Sequence, residues 1–434
     1  MEAFDGVSSL LDKSLIRQEE GPNGEPRFVM LETVHEFARE KLGESGEAEE
    51  IKRAHAQYFL TLAEEAPPEL KGPHQLEWLE RLEAEHDNMR AALSWALEHK
   101  EVEVALRLGG ALWLFWSMRG YQSEGRRWLQ EALAMDGRAS PEVRAMALAG
   151  VGDLASEQGE LDRATQACQE GLELLANEAR QASEAKLLLF ACLGWVALQR
   201  EDYGRATRLF EESLALSRKM GDTWWLAGSL LQLALVTSFL GDSERATELY
   251  EESMDLFREL GDKNLLASCL NDLAMVVYSQ GDLGRAAQLT EEAVALLREL
   301  GARGSVALVL CNLGWITLLQ DDLGRAADLY GESLSLAWDA GLNPLVERTL
   351  EGFACLAGAR GATDRAARLW GAAQTLHEVK GIPRDTDFLD EADARISAVR
   401  SAMGEEEWEE AWHKGRTMSL DEAVSYALEE EAAG

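Results

Sequence analysis

The chain has 434 residues, 46% of them hydrophobic and 28% charged, so it can build a sizeable core and is no disordered tail. Its 78 Asp and Glu outnumber 42 Lys and Arg, giving −36, a field that repels phosphate backbones and anionic lipid; stand-alone nucleic-acid binding is excluded on charge grounds. Eight prolines against 37 glycines fit a mostly helical chain. The most apolar run, Leu106 to Met118, is broken by a glycine pair and is too short for a membrane span. No secretion signal opens the sequence, and five cysteines (Cys168, Cys192, Cys269, Cys311, Cys355) form no CxxC pair, which predicts buried free thiols in a reducing, cytoplasmic setting.

In chain order, residues 1–42 read as a helix ending near Leu10-Leu11-Asp12-Lys13, then two apolar-rich runs, Ser14–Arg17 and Arg27–Met30, around Gly21-Pro22-Asn23-Gly24. That is a β-hairpin signal, followed by a helix from Leu31 to about Leu42. Helix, two-stranded wing and helix make part of a winged helix. A helical bridge is expected over 43–103.

The repeat region, 104–380, carries the main signal. Arg-Ala recurs at 163–164, 205–206, 245–246, 285–286, 325–326 and 365–366, a 40-residue step after a first step of 42. Twelve residues before each Ala stands a small residue: Gly152, Gly194, Ala234, Ala274, Gly314, Ala354. Sixteen before stand Leu148, Phe190, Leu230, Leu270, Leu310 and Leu350. Gly241-Asp242 and Gly281-Asp282 end one helix and cap the next, glycine supplying the left-handed position and the Asp side chain a hydrogen-bond acceptor. Arg218, Arg258 and Arg298 close the second helix ahead of Gly221, Gly261 and Gly301. Each unit is thus an antiparallel pair of roughly seventeen-residue helices that can hide its apolar side only by stacking. The fold class is all-α, a right-handed superhelical solenoid with one small β-hairpin. A weaker copy precedes residue 145, with Gly125 in the Ala column and Trp113 in the small-residue column, which predicts a wider helix crossing there. Trp224-Trp225 are expected to pack between repeats. After Pro383, two helices are expected to cover the last repeat as a cap over 381–434, with Ser419 and Glu422 forming a capping box.

These columns, with Phe210, Tyr250, Tyr330 and Trp370 four residues after the repeat Ala, resemble the tetratricopeptide repeat in its longer kinesin-light-chain-like and MalT-like forms. The words Leu11-Asp12-Lys13-Ser14-Leu15-Ile16, Arg27 to Ala38 and Arg53-Ala54-His55-Ala56-Gln57-Tyr58-Phe59 resemble the segment after the nucleotide-binding module of bacterial STAND regulators. Ala366 to Ala373, Trp408 to Trp412 and Ser419 to Ala423 resemble the end of the sensor arm in LuxR-type members. The resemblance implies a sensor arm whose ATPase module and DNA-binding output domain are absent from this sequence, since it holds neither GxxxxGK[ST] nor a basic helix-turn-helix.

Seven histidines show no HExxH, and no Gly-x-Ser-x-Gly is present, so no enzyme, cofactor or metal is expected. The recurring acid pairs Glu211-Glu212, Glu251-Glu252 and Glu291-Glu292 read as a solvated helix face, and the Arg column as a bridge to the acidic cap region or to the next repeat rather than a phosphate site. The resemblance places the concave groove on the first helix of each pair. Carried over by column, the groove residues are Trp195, Leu198, Gln232, Leu235, Phe239, Asn271, Asp272, Met275, Tyr278, Asn312, Trp315 and Leu318. Aromatics beside side-chain amides suit an extended peptide, a protein segment or a small inducer. The competing expectation is that the aromatics pack against neighbouring helices or the C-terminal cap. The alternative function is a scaffold that holds partners, or copies of itself, without a small ligand.

Overall fold

Helix hairpins punctuated by Gly-Asp run through most of the computed structural model, which describes residues 2–21, 24, 26–176, 183–380 and 389–429. The described residues form 22 helices and one two-stranded sheet. First come α1 (Glu2–Asp12), an antiparallel hairpin of β1 (Ile16–Glu20) and β2 (Pro26–Met30) with Ile16 opposite Met30, and α2 (Glu32–Ser45). Of the expected hairpin turn, Pro22 and Asn23 lie outside the described residues. α2 buries none of its side chains, and Phe28, Leu31 and Phe37 stay exposed. The bridge follows as α3 (Ala48–Leu70), α4 (Gln75–Ala84) and α5 (His86–Glu98).

Seven helix pairs come next: α6 (Val102–Arg119) with α7 (Gln122–Leu133), α8 (Pro141–Glu157) with α9 (Leu161–Leu175), α10 (Glu184–Gln199) with α11 (Tyr203–Met220), and α12 (Thr223–Phe239) with α13 (Ser243–Leu260). The array continues with α14 (Lys263–Ser279) and α15 (Leu283–Glu299), α16 (Arg303–Leu319) and α17 (Leu323–Asp339), and α18 (Asn343–Ala359) and α19 (Thr363–Lys380). Three helices, not two, close the described chain: α20 (Leu389–Met403), α21 (Glu405–Arg416) and α22 (Leu420–Leu428). Pro383, where that cap was expected to begin, lies outside the described residues. The Ser419–Glu422 capping box opens α22, the Ser419 backbone donating to Glu422 at 2.7 Å. The chain divides into two compact units, residues 1–240 with 255–262, and residues 241–254 with 263–434.

The local chemistry explains the hairpins. Asp202, Asp222, Asp282 and Asp322 each accept a hydrogen bond from the backbone N–H three residues on. Gly281 holds the preceding left-handed position at φ 87°; Glu201 and Asp321 adopt it without being glycine, at φ 59° and 65°. The small-residue column seats the large side chain four residues after the repeat Ala. A Cβ on Gly194 would fall 2.2 Å from the Phe210 ring, and one on Gly314 2.8 Å from Tyr330. The first copy solves the same problem differently. Trp116 lies over Gly125, where a Cβ would be 2.4 Å from the indole, while Trp113 turns toward Gly150 of the next pair. All five cysteines are free and buried.

Between repeats of the second unit the Arg column pairs with the acidic column 34 residues earlier. Arg285 meets Glu251 at 2.8 Å, and Arg325 meets Glu291. The ladder stops where the column holds Gly331, and Arg365 instead donates to the Ala427 and Glu429 carbonyls at 3.1 and 3.0 Å, capping α22. In the first unit, Trp224 and Trp225 do more than pack between repeats. Lys71, at the end of α3, lies 4.5 Å over the Trp224 ring and pairs with Glu184. Buried Asp262 accepts from Trp224 Nε1 at 2.8 Å and from Gln75 Nε2 at 3.1 Å. The α3–α4 connection is therefore fastened to the starts of α10 and α12.

Candidate functional site: the first-helix faces

In the first unit the face is formed by α8, α10 and α12. Trp195 on α10 is 37% exposed, and Phe239 at the end of α12 is 47% exposed, stacked on Tyr203 with ring centres 5.8 Å apart. Gln232 and Leu235 are half-buried on α12. Leu198 is buried and takes no part in the surface. On α8, Asp153 occupies the column of Trp195 and Leu235, with Glu157 one turn on accepting from Ser117 Oγ. Asp153 is half-buried and Glu157 is exposed. Both carboxyls are nonetheless pushed up: surrounding protein disfavours their charge, and the charge of Glu157 raises Asp153 further. Trp195 and Phe239 thus leave large aromatic surface in water on this face.

The second unit arranges its expected residues otherwise. Asn271, Asp272, Met275 and Tyr278 on α14 are half-buried. Asn312, Trp315 and Leu318 on α16 are 3%, 4% and 2% exposed. The amide ladder is present but satisfies itself: Asn312 Nδ2 donates to Asn271 Oδ1 at 2.8 Å, and Arg348 Nη2 donates to Asn312 Oδ1 at 2.6 Å. Trp315 Nε1 donates to Tyr278 Oη at 3.3 Å, and that hydroxyl donates to Glu391 of α20 at 3.0 Å. Trp315 and Leu318 share one apolar cluster with Ala392 and Ile396 of α20. Tyr278, Trp315 and Leu318, expected to line an open groove, lie here with residues of the chain's own α20, which agrees with the competing expectation for the aromatics. The α20 sequence carries few large apolar residues and Glu391 lies 113 residues from Tyr278, so pattern reading offered the cap as one possible cover without naming the helix or the residues that touch.

Two further features lie away from these columns. In the first unit, Arg90 grips Glu124 through Nε and Nη2 at 2.6 Å each, and its hydrogen bonds hold that carboxyl down to about 2. His86, nearly buried against Phe115 and Tyr121, is lowered chiefly by burial. In the second unit a half-open cavity of about 1240 Å³ lies between α17, α19 and α22, over the Gly331 gap and beside Phe353, Arg360 and Arg365. None of the expected groove residues lines it. Among the described residues no three His, Cys, Asp or Glu side chains gather in a metal-binding group, and no helix is long and apolar enough to cross a membrane.

The repeat geometry agrees with what the chain resembles. A tetratricopeptide-repeat family model matches residues 225–299. Its helical fold is similar to that of a Rap protein complexed with competence and sporulation factor, with a TM-score of 0.53 and 12% identity over 85% of this chain and 100% of that one. A STAND protein with a tetratricopeptide repeat sensor from Pyrococcus horikoshii aligns at TM-score 0.47 and 17% identity, over 94% of this chain and 60% of that one. In sequence, 151 residues are 37% identical to provisionally designated HTH-type transcriptional regulators of Mycobacterium tuberculosis and Mycobacterium bovis. That match covers 34% of this chain, which spans 17% of the length of those relatives.

Proposed function

We propose that this chain is a non-catalytic, cytoplasmic recognition module, the sensor or protein-interaction arm of a STAND-type, LuxR-like regulator, and that it docks a peptide or protein segment on its first-helix faces. The observation that carries the reading is the exposure of Trp195 and Phe239 on one face of the first unit, beside Leu235 and Gln232. Large aromatics left in water on a repeat face are where binding energy concentrates. The tetratricopeptide match and the partial identity to transcriptional regulators support the assignment to a regulatory protein. A fold shared with a Rap protein complexed with competence and sporulation factor supports docking on such repeats. In a full regulator, partner binding would bias the equilibrium between resting and active assemblies, the ATPase module and a small inducer entering only at that level.

Photo-crosslinking in the native host tests the site. A benzophenone side chain placed at position 195 or 239 is expected to give partner adducts, while one at Glu211 or Glu252, both exposed on second helices, gives none. Trp195→Ala is expected to weaken capture of the cross-linked partner about tenfold with the thermal midpoint moved by only ~2 °C. Adducts confined to positions 211 and 252 would refute the reading.

A further inference from the structure

The helices after α19 serve two different ends. α21 closes the array: Gly415 and Gly371 bring its backbone against α19 so tightly that a Cβ would lie 1.9 Å from the Arg368 carbonyl or 2.3 Å from that of Trp412. Trp408 of α21 is buried as well. α20 goes elsewhere. Its buried Ala392 and Ile396, continued by half-buried Val399 and Met403, form a stripe at steps of four, three and four residues. That stripe joins the apolar cluster of Trp315, Leu318, Cys355 and Leu356. Gly358 on α18 makes room for it, since a Cβ there would meet Val399 Cγ2 at 2.6 Å. At its other end Glu391 reaches Tyr278 on α14, two helix pairs before the last. Covering a terminal pair requires contact with α18 and α19 alone; α20 extends beyond them onto the face whose columns read as a ligand wall.

The seat is shallow. Asp393, Ala394, Ser397, Ala398, Ser401 and Ala402 of α20 remain exposed. Its polar tie to α21, from Arg400 to Glu405 and Glu409, is solvent-accessible and therefore weak. We propose that α20 is a built-in occupant of a helix-binding seat on the second unit, and that the partner taken there is an amphipathic helix of the same design. Such a helix carries a carboxylate in its first turn, aimed at Tyr278, and small or branched apolar residues at steps of four, three and four behind it. Docking is then an exchange, the partner helix entering as α20 leaves. This rests on the reading that partners dock on first-helix faces, and adds the partner's secondary structure and the contact that must be released.

The probe is a fluorescein-labelled synthetic peptide of residues 389–403, titrated against the full chain. Ile396→Asp places a charge in the buried stripe and should unseat α20 without touching the wall. The peptide is expected to bind that variant at least tenfold more tightly than the native chain, and about fivefold less tightly once Tyr278→Phe is added. A peptide carrying its own Ile396→Asp should not bind. Equal affinity for both chains, or undiminished binding of the altered peptide, would overturn the proposal. Should the Ile396→Asp chain fail to fold, hydrogen exchange on the native chain decides: α20 amides are expected to exchange at least tenfold faster than those of α21, and equal protection would overturn the proposal. Cross-links from positions 195 and 239 are independent of either result, so failure of the exchange leaves the docking reading standing, and failure of those cross-links removes the docking reading by itself.

Discussion

Asp153 shows how a single position records the difference between a solvated helix face and a crowded one. By column it belongs with Trp195 and Leu235, and by residue type it should ionise freely. The surrounding protein raises its carboxyl well above the ordinary range, and Glu157 one turn away adds repulsion. An acid whose folded-state pKa lies above its unfolded value holds its proton more firmly when folded, so it lowers stability as pH rises past the ordinary carboxylate range, and the cost is absent below that range. Asp153→Asn is therefore expected to raise the thermal midpoint at pH 7 by about 1–3 °C, and by clearly less at pH 4, where the unfolded-state carboxyl is itself about half protonated. Differential scanning calorimetry at both values checks the sign; a gain of the same size at pH 4 would mean that charge is not the cause. Asn312 marks the opposite case. Its amide looked available for a peptide backbone, but it already donates to Asn271 and accepts from Arg348, and at 3% exposure it offers little to a ligand on the surface.

At the scale of elements, the helix pairs were legible because their determinants are local. A cap, a left-handed glycine and a small column act within one hairpin, so Gly281-Asp282 and Gly194 speak for themselves in the sequence. The path of α20 was not legible, because it depends on a contact between residues 113 apart and on a stripe of only Ala392, Ile396, Val399 and Met403. The Arg–Glu ladder was legible in part: a bridge from the Arg column was expected, but its pairing with the acidic column at a 34-residue offset emerges only once the pairs are stacked. Two helical glycines show how differently equal residues can be used. Gly415 stands against the backbone of α19, whereas nothing lies within 4 Å of a Cβ on Gly331. Gly415→Ala is expected to cost about 1–3 kcal/mol, as overpacking against a rigid backbone does, and Gly331→Ala to add about 0.5–1 kcal/mol through helix propensity. Urea unfolding of the two variants gives the answer, and a neutral Gly415→Ala would show that α21 is not in intimate contact with α19.

For the whole molecule the governing quantity is charge. A net −36 makes the folded chain repel itself, while the Arg–Glu ladder of the second unit works locally in the other direction. Salt weakens both, so the response to salt reveals which is larger. Each ladder pair is exposed and worth only about 0.2–1 kcal/mol, and its range is a single contact. The excess of acidic residues extends over the entire chain, and its mutual repulsion acts across distances that the ~10 Å Debye length at 0.1 M begins to cut off. Net repulsion should therefore win, and the thermal midpoint should climb by a few degrees between 10 and 300 mM NaCl, with the same rise for NaCl and KCl. A falling midpoint would show that the ion-pair ladder, rather than apolar stacking against charge repulsion, sets the stability of the repeats. The same field bears on function: a partner drawn to either first-helix face approaches through negative potential, so its association should slow with added salt if it is basic and quicken if, like α20's first turn, it is acidic. Measuring the association rate of the residue 389–403 peptide with the Ile396→Asp chain at these two salt concentrations separates the cases. Its first turn carries Asp390 and Glu391, and a faster rate in 300 mM NaCl is the expected result.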